Sequence, residues 1–151
     1  MTIEEFLREL SQPIHIVGGS PLFTGPWPCP FISVNAKHAV PEACAAAINA
    51  GKQDAKRAHG WEFVLQPNNT GSKPHHPRAM IANRNYWQKY DLRGRQPTTY
   101  FALVAICQQV GVAVDLWGIC GWASRFHYGD LEMHYLKKMS GVVVHDPRPQ
   151  W

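Results

Sequence analysis

The stretch PTTYFALVAICQQVGVAVDLWGI (residues 97–119) carries the signals of a complete helix followed by a buried strand. Thr98 or Thr99 is a suitable N-cap, an apolar run follows, and Gly111 is a typical helix stop. The run VAVDLWGI, rich in β-branched and apolar residues, predicts a buried strand. A helix that leads into a buried strand is the repeating unit of α/β folds.

The rest of the chain continues this alternation. Helices are predicted at Ile3–Leu10, with Thr2 as cap and Glu5 completing a capping box, within the alanine-rich residues 41–58, and at Leu131–Met139. Strands are predicted at Ile14–Val17, Phe31–Ala36, Trp61–Asn68 and within residues 141–147, and residues 80–96 are ambiguous, with a short helix as one interpretation. No internal repeat or boundary is visible. We therefore expect a single domain over residues 1–151, with a Rossmann-like three-layer α/β sandwich and a mostly parallel sheet.

Composition narrows the class of protein. The chain has 151 residues, 45% hydrophobic and 17% charged, which is typical of a globular domain. No apolar run reaches the roughly eighteen residues of a membrane helix, and the acidic, amphipathic start does not resemble a secretion signal. The four cysteines form no C-x-x-C pair, and Cys44 and Cys107 lie in apolar surroundings. These features predict a cytoplasmic protein with no membrane partner.

Positive charge is concentrated in the middle of the chain. Residues 37–95 hold ten Lys or Arg against four Asp or Glu, whereas the whole chain has a formal charge of +4. A basic segment suits a phosphate-bearing partner: a nucleotide, a nucleotide-sugar or a nucleic acid. A solvated surface that only aids solubility is the other interpretation.

Ligands of parallel α/β sheets bind at the carboxyl ends of the strands. The candidates there are the turn Gly18, Gly19 and Ser20, the strand-ending Asn35, and Gly118 at the end of the strand predicted in residues 112–119. Thr98 and Thr99 offer hydroxyls and free N–H groups at a helix N-terminus, which suit a phosphate. Simple alternatives remain, because Asn35 is also a common turn residue and either threonine is also an ordinary cap.

Three stretches occur in the order found in the sialyltransferase family. HIVGGSPLF with FISVNA (residues 15–23 and 31–36) resembles that family's long nucleotide-binding motif. Residues 97–119 resemble its small motif. HYGDLEMHYLKKMSGVV (residues 127–143) resembles its very small motif, a His-x-x-x-x-Glu before a helix. The ordered set spans most of the chain and implies a glycosyltransferase-like fold.

The resemblance implies an activity and roles for individual residues. It implies an enzyme that transfers a sugar, most simply sialic acid from CMP-sialic acid, to a hydroxyl by inverting displacement. Asn35 would contact the cytidine, and His127 would act as the base or as an acid on the phosphate side. Glu132, five residues later, does not share a helical face with His127 and suits fixing the loop geometry. No metal and no separate cofactor is implied.

Two other functions fit the same residues. The basic segment at 37–95 would let the same fold bind nucleic acid and modify a base, and such binding would weaken with salt. Alternatively, the short chain would be a non-catalytic module that binds or sequesters a nucleotide. His127 is a polar loop residue and Glu132 a helix-start residue in that case.

Overall fold

The structure is a computed structural model that describes residues 2–18, 31–33, 45–49, 64–66, 79–81, 84–95, 97–119 and 129–145. These residues form seven strands: β1 (Ile14–Val17), β2 (Phe31–Ser33), β3 (Ala45–Asn49), β4 (Val64–Gln66), β5 (Ala79–Ile81), β6 (Val114–Trp117) and β7 (Val142–His145). They also form three α-helices, α1 (Ile3–Glu9), α2 (Thr99–Val110) and α3 (Gly129–Lys138), and a 3₁₀ helix at Arg84–Tyr86.

The seven strands form one sheet in the order β5-β4-β3-β2-β1-β6-β7, and every pair of neighbours is parallel. The chain therefore builds the sheet outward from β1 in one direction and then returns to the other side of β1. The parallel α/β character predicted from the sequence is confirmed.

Helix α1 begins where local chemistry predicts. The Glu5 N–H donates to Thr2 Oγ1 at 3.1 Å, and the Thr2 N–H donates to Glu5 Oε2 at 3.3 Å. This reciprocal capping box satisfies two backbone donors that a helix start leaves without partners. Ile3, Phe6 and Leu7 are buried, so the apolar stripe of α1 faces the core.

Helix α2 and strand β6 confirm the helix and the buried strand predicted for residues 97–119. Thr98 Oγ1 accepts from the Phe101 N–H, and Gly111 ends the helix in the left-handed conformation at φ 73°. Glycine suits this position because a Cβ is disfavoured at positive φ. Eight consecutive residues, Tyr100–Cys107, are buried, so α2 is the most deeply buried of the helices described.

The main hydrophobic cluster of the described residues lies on one face of the sheet. Ile14 and Ile16 of β1, together with Val114 and Leu116 of β6, pack with residues of all three α-helices in a single hydrophobic cluster. Neighbouring residues of a strand point to opposite faces. His15 and Asp115, which alternate with these core positions and are half-buried, therefore lie on the face directed away from the cluster.

The predicted helix in residues 41–58 is wrong where the structure describes it, because Ala45–Asn49 forms β3. Ala47 is paired with Ile32 of β2, and Ile48 is paired with both Ser33 and Val64. Alanine favours helices only weakly, by less than about 1 kcal/mol per residue over most other residues. Pairing with strands on both sides outweighs that preference.

Several boundaries also differ from prediction. Helix α3 begins at Gly129 rather than Leu131, and the described parts of β2 and β4 are shorter than the predicted strands. Residues 79–81, read as the end of a loop and the start of an ambiguous segment, form β5. The short helix suggested for residues 80–96 is limited to the 3₁₀ turn at Arg84–Tyr86.

The described residues bear on two predictions made from the composition, one on the cysteines and one on membrane-spanning helices. Cys107 is fully buried as a free thiol, as predicted, whereas Cys44 lies outside the described ranges. None of the helices in the part of the chain that the structure describes combines the length and apolar character needed to cross a bilayer.

Candidate functional site

The strand order reverses at β1, which makes the gap between β1 and β6 the point where ligands of parallel sheets bind. Gly18 follows β1 and Gly118 follows β6, so both predicted residues lie at the carboxyl edge of the sheet at this point. Helices α2 and α3 end just before β6 and β7 begin, so their N-termini lie at the same edge. The site is therefore built from two strand ends and two helix starts.

Gly18 and Gly118 are in direct contact. The Gly18 N–H donates to the Trp117 carbonyl at 2.7 Å. A Cβ on Gly18 would lie 2.7 Å from the Gly118 carbonyl oxygen and 3.0 Å from Ile119 Cγ2. Gly118 itself has a φ of 63°, which disfavours any side chain. The two strand ends can approach this closely because residue 18 has no Cβ, and the backbone conformation at residue 118 favours glycine.

Thr98 and Glu132, 34 residues apart, are also joined. The Thr98 N–H donates to Glu132 Oε2, and the Thr98 hydroxyl donates to Glu132 Oε1, each at 2.7 Å. The carboxylate in the first turn of α3 thus takes both donors of the residue that caps α2. The Thr98 hydroxyl also accepts from the Phe101 N–H at 3.4 Å, so one side chain links the two helix starts.

Glu132 is fully buried, the one charged residue in the buried set of the described chain. Burial raises the pKa of the Glu132 carboxyl to about 7, while the two hydrogen bonds from Thr98 act in the lowering direction. A buried carboxyl with a pKa near neutrality exists in both protonation states at physiological pH. A side chain of this kind at a proposed binding edge is a candidate functional residue.

A Thr98→Val variant tests the bridge between the two helices. It keeps the β-branched shape but removes the hydroxyl that binds both Glu132 and Phe101. We expect the free energy of unfolding to fall by about 2 kcal/mol, because a cap and a buried hydrogen bond are lost. Urea unfolding measures this change, and Thr98→Ser, which retains the hydroxyl, serves as the control. Equal stability of the Val and Ser variants would show that the hydrogen bonds of the Thr98 hydroxyl do not contribute to the free energy of unfolding.

The structure brings together two pairs of the predicted site residues, Gly18 with Gly118 and Thr98 with Glu132. Thr99 is the first residue of α2. Glu132 lies in the first turn of α3, as predicted. The remaining predicted residues, Gly19, Ser20, Asn35 and His127, lie outside the described residues.

A group of polar side chains on the face of the sheet directed away from the hydrophobic cluster was not predicted from the sequence. His15, Asp115, Trp117 and His145, here called the strand-face cluster, come from β1, β6 and β7. Trp117 Nε1 donates to His15 Nδ1 at 3.1 Å, and the Trp117 and His145 rings stack with centroids 3.8 Å apart. The sequence holds a signal for the cluster, because His15 and Asp115 are each the second residue of a strand whose neighbours are apolar.

Comparison with known proteins gives no match, whether to a family model, to a curated protein or to a solved structure.

Proposed function

We propose that this chain is a small glycosyltransferase of the sialyltransferase type, with a Rossmann-like, three-layer fold. It binds a nucleotide-sugar, most simply CMP-sialic acid, at the carboxyl edge of the sheet between β1 and β6. It transfers the sugar to a hydroxyl acceptor with inversion. The activity needs no metal, because the residues proposed for it act by positioning and proton transfer.

One observation carries this proposal: the three stretches that resemble the sialyl motifs meet at one edge of the sheet. Gly18 in the first stretch contacts Gly118 in the second, and Thr98 in the second is bonded to Glu132 in the third. The order of the motifs along the chain does not require either contact. Their joining at the topological switch point supports a shared site.

The glycine pair suits close approach of a nucleotide. Because neither residue carries a side chain, the backbone groups at the ends of β1 and β6 are not shielded by one from a phosphate or ribose. The N-terminus of α2 adds the positive end of a helix dipole at the same edge. In this proposal Gly19, Ser20 and Asn35 extend the nucleotide site from the first stretch, with Asn35 toward the cytidine.

The chemistry requires one proton to leave the acceptor hydroxyl and negative charge to develop on the departing CMP phosphate. His127 serves as the base or as the acid on the phosphate side, since imidazole titrates near neutral pH. In this proposal Glu132 is a positioning residue. By holding Thr98 it fixes α2 against the start of α3, a few residues after His127 in the chain.

A thermal-shift panel tests the donor. We expect CMP and CMP-sialic acid to raise the melting temperature in a concentration-dependent way, because a ligand at 100 times its dissociation constant stabilises the folded state by about 2.7 kcal/mol. UMP, GMP and AMP at the same concentrations are the matched controls. Strong stabilisation by another nucleotide, with none by CMP, would refute the donor assignment.

The same thermal-shift panel distinguishes the proposed sugar transferase from a nucleic-acid-modifying enzyme and from a non-catalytic binding module. A short DNA or RNA that stabilises the chain, with an effect that declines steeply with salt, would favour a base-modifying enzyme over a sugar transferase. Stabilisation by CMP without release of CMP from CMP-sialic acid in the presence of hydroxyl acceptors would favour a binding module.

A further inference from the structure

The strand-face cluster is a second group of polar side chains; His15, Asp115 and Trp117 lie within the stretches that resemble the long and small motifs, but that resemblance assigns none of the four a role. In the parallel register His15 is paired with Asp115, and Trp117 is paired with His145. All four side chains therefore lie on one face of the three strands β1, β6 and β7. Trp117 and His145 are the last residues of their strands, so the cluster reaches the carboxyl edge where Gly18 and Gly118 meet.

The hydrogen bond from Trp117 decides which nitrogen of His15 carries a proton. An indole N–H is only a donor, so His15 Nδ1 acts as an acceptor at 3.1 Å. Neutral His15 then holds its proton on Nε2. Its Nδ1 lies 3.7 Å from Asp115 Oδ2 but has no proton to donate to that carboxylate. The Asp115 carboxylate is thus left with His145 as its available imidazole donor within the cluster.

His145 approaches Asp115 through its ring nitrogen Nε2. His145 Nε2 lies 3.5 Å from Asp115 Oδ1 and is buried, with no hydrogen bond of good geometry in the described part of the chain. About a third of the side chain is exposed, at 36%. Since Nε2 is buried, that exposure belongs to the other atoms of the side chain. When an Asp carboxylate accepts a hydrogen bond from the Nε2–H of a neutral histidine, Nδ1 is the basic nitrogen.

The ring of His145 is held in place. It stacks on Trp117 with an interplanar angle of 6°. The backbone carbonyl of the same Trp117 accepts from the Gly18 N–H. One residue therefore holds both the imidazole and the glycine turn of the proposed nucleotide site.

We propose that His145 is the base that takes the proton of the acceptor hydroxyl, and that Asp115 is the residue that positions it. This inference rests on the proposed function. The contact of 3.5 Å is long for a hydrogen bond, and catalytic contacts of this kind often shorten when substrate binds. His127 is then left to act on the phosphate side.

The proposed step forms one bond, breaks one bond and transfers one proton. The acceptor oxygen forms a bond to the anomeric carbon of the donor sugar as the bond from that carbon to the CMP phosphate oxygen breaks. CMP leaves with the electron pair of the broken bond. The hydroxyl proton moves to His145 Nδ1, and the Asp115 carboxylate stabilises the imidazolium that results. No oxidant, reductant or metal takes part.

The first part of the test is structural and does not require the protein to turn over a substrate. Long-range ¹H–¹⁵N NMR of the wild-type protein reports which nitrogen of His145 is protonated. We expect the neutral ring to carry its proton on Nε2, and we expect Asp115→Asn to increase the share of the other tautomer. A His145 that is protonated on Nδ1 in the wild type would overturn the inference, whatever the enzyme's activity.

The second arm measures chemistry and binding separately. We expect His145→Gln to lower the rate of CMP release from CMP-sialic acid, with water as acceptor, by about 10²–10⁴-fold. We expect CMP to stabilise the variant as much as the wild type. His134→Gln, which changes the exposed histidine of α3, is the matched control and should leave the rate unchanged.

The outcomes of this arm are distinct. If the wild type binds CMP and releases it from the donor while His145→Gln does so at the same rate, His145 is not the base. If CMP leaves the wild type unstabilised, the proposed function fails, and the role of His145 as an acceptor base fails with it.

Discussion

A Gly18→Val variant is expected to lose about 3 kcal/mol of folding free energy and to lose the stabilisation by CMP. The reason is steric. The new Cβ would lie 2.7 Å from a backbone carbonyl oxygen, that of Gly118, and a backbone atom cannot turn away as a flexible side chain can. The ends of β1 and β6 must separate, which also breaks the bond from the Gly18 N–H to the Trp117 carbonyl.

Urea unfolding and a CMP melting-temperature series measure the two effects of this substitution. Gly111→Ala is the control, because Gly111 lies at φ 73° before β6, at the opposite edge of the sheet, and an added Cβ would meet no atom of the described residues within 4 Å beyond its chain neighbours. Its cost is backbone strain alone, about 1–2 kcal/mol, and it should keep the response to CMP. A Gly18→Val variant as stable as wild type, with an unchanged response to CMP, would contradict the description of the site.

Replacement of Glu132 by alanine is expected to destabilise the fold by about 3 kcal/mol. The Thr98 N–H loses its buried acceptor, and a buried donor without a partner costs about 1–3 kcal/mol. The side chain leaves a cavity in a fully buried position, which adds to the loss. Glu132→Gln has nearly the same shape and retains an acceptor for the N–H and a partner for the hydroxyl, so it should fold close to wild type.

The pH dependence of stability distinguishes these two variants further. The pKa of Glu132 is raised from 4.5 to about 7 in the folded state, so the folded chain binds this proton more tightly than the unfolded chain does. The resulting stability is fully present below about pH 4.5 and is lost as the pH rises through about 7. The shift corresponds to about 3 kcal/mol at most.

Urea unfolding between pH 4.5 and pH 8 measures this contribution. We expect the wild type to lose stability relative to Glu132→Gln as the pH rises, because glutamine carries no titrating proton. Other groups titrate in both proteins and cancel in the difference. Parallel curves for the two proteins would mean that the carboxyl is ionised throughout, and that the hydrogen bonds from Thr98 outweigh burial.

Local signals in the sequence were sufficient for part of the fold. The cap at Thr98, the stop at Gly111 and the capping box at Thr2 act over a few residues, so the helices they bound could be predicted. Strand β3 could not, because Ala45–Asn49 becomes a strand only through its neighbours in the sheet. Alanine content describes an isolated segment rather than one paired on both sides.

The same distinction applies to the site. Glycines at strand ends are visible in the sequence, and Gly18 and Gly118 were predicted for that reason, whereas Glu132 was predicted from the resemblance to the very small motif. That Glu132 would bond Thr98, and that His145 would stack on Trp117, depends on which distant elements become neighbours. The placement of β1 between β2 and β6 is a property of the whole sheet, and no local pattern encodes it.

Titration of ¹⁵N-labelled protein with CMP tests the central claim most directly, since it asks whether a cytidine nucleotide binds between β1 and β6. The account predicts saturable shifts of the Gly18 and Gly118 amide signals, larger than those of Gly111 and Gly141, which precede β6 and β7 at the opposite edge of the sheet. If CMP at millimolar concentration leaves Gly18 and Gly118 unmoved, or moves only signals elsewhere in the chain, the nucleotide site is not at this edge of the sheet.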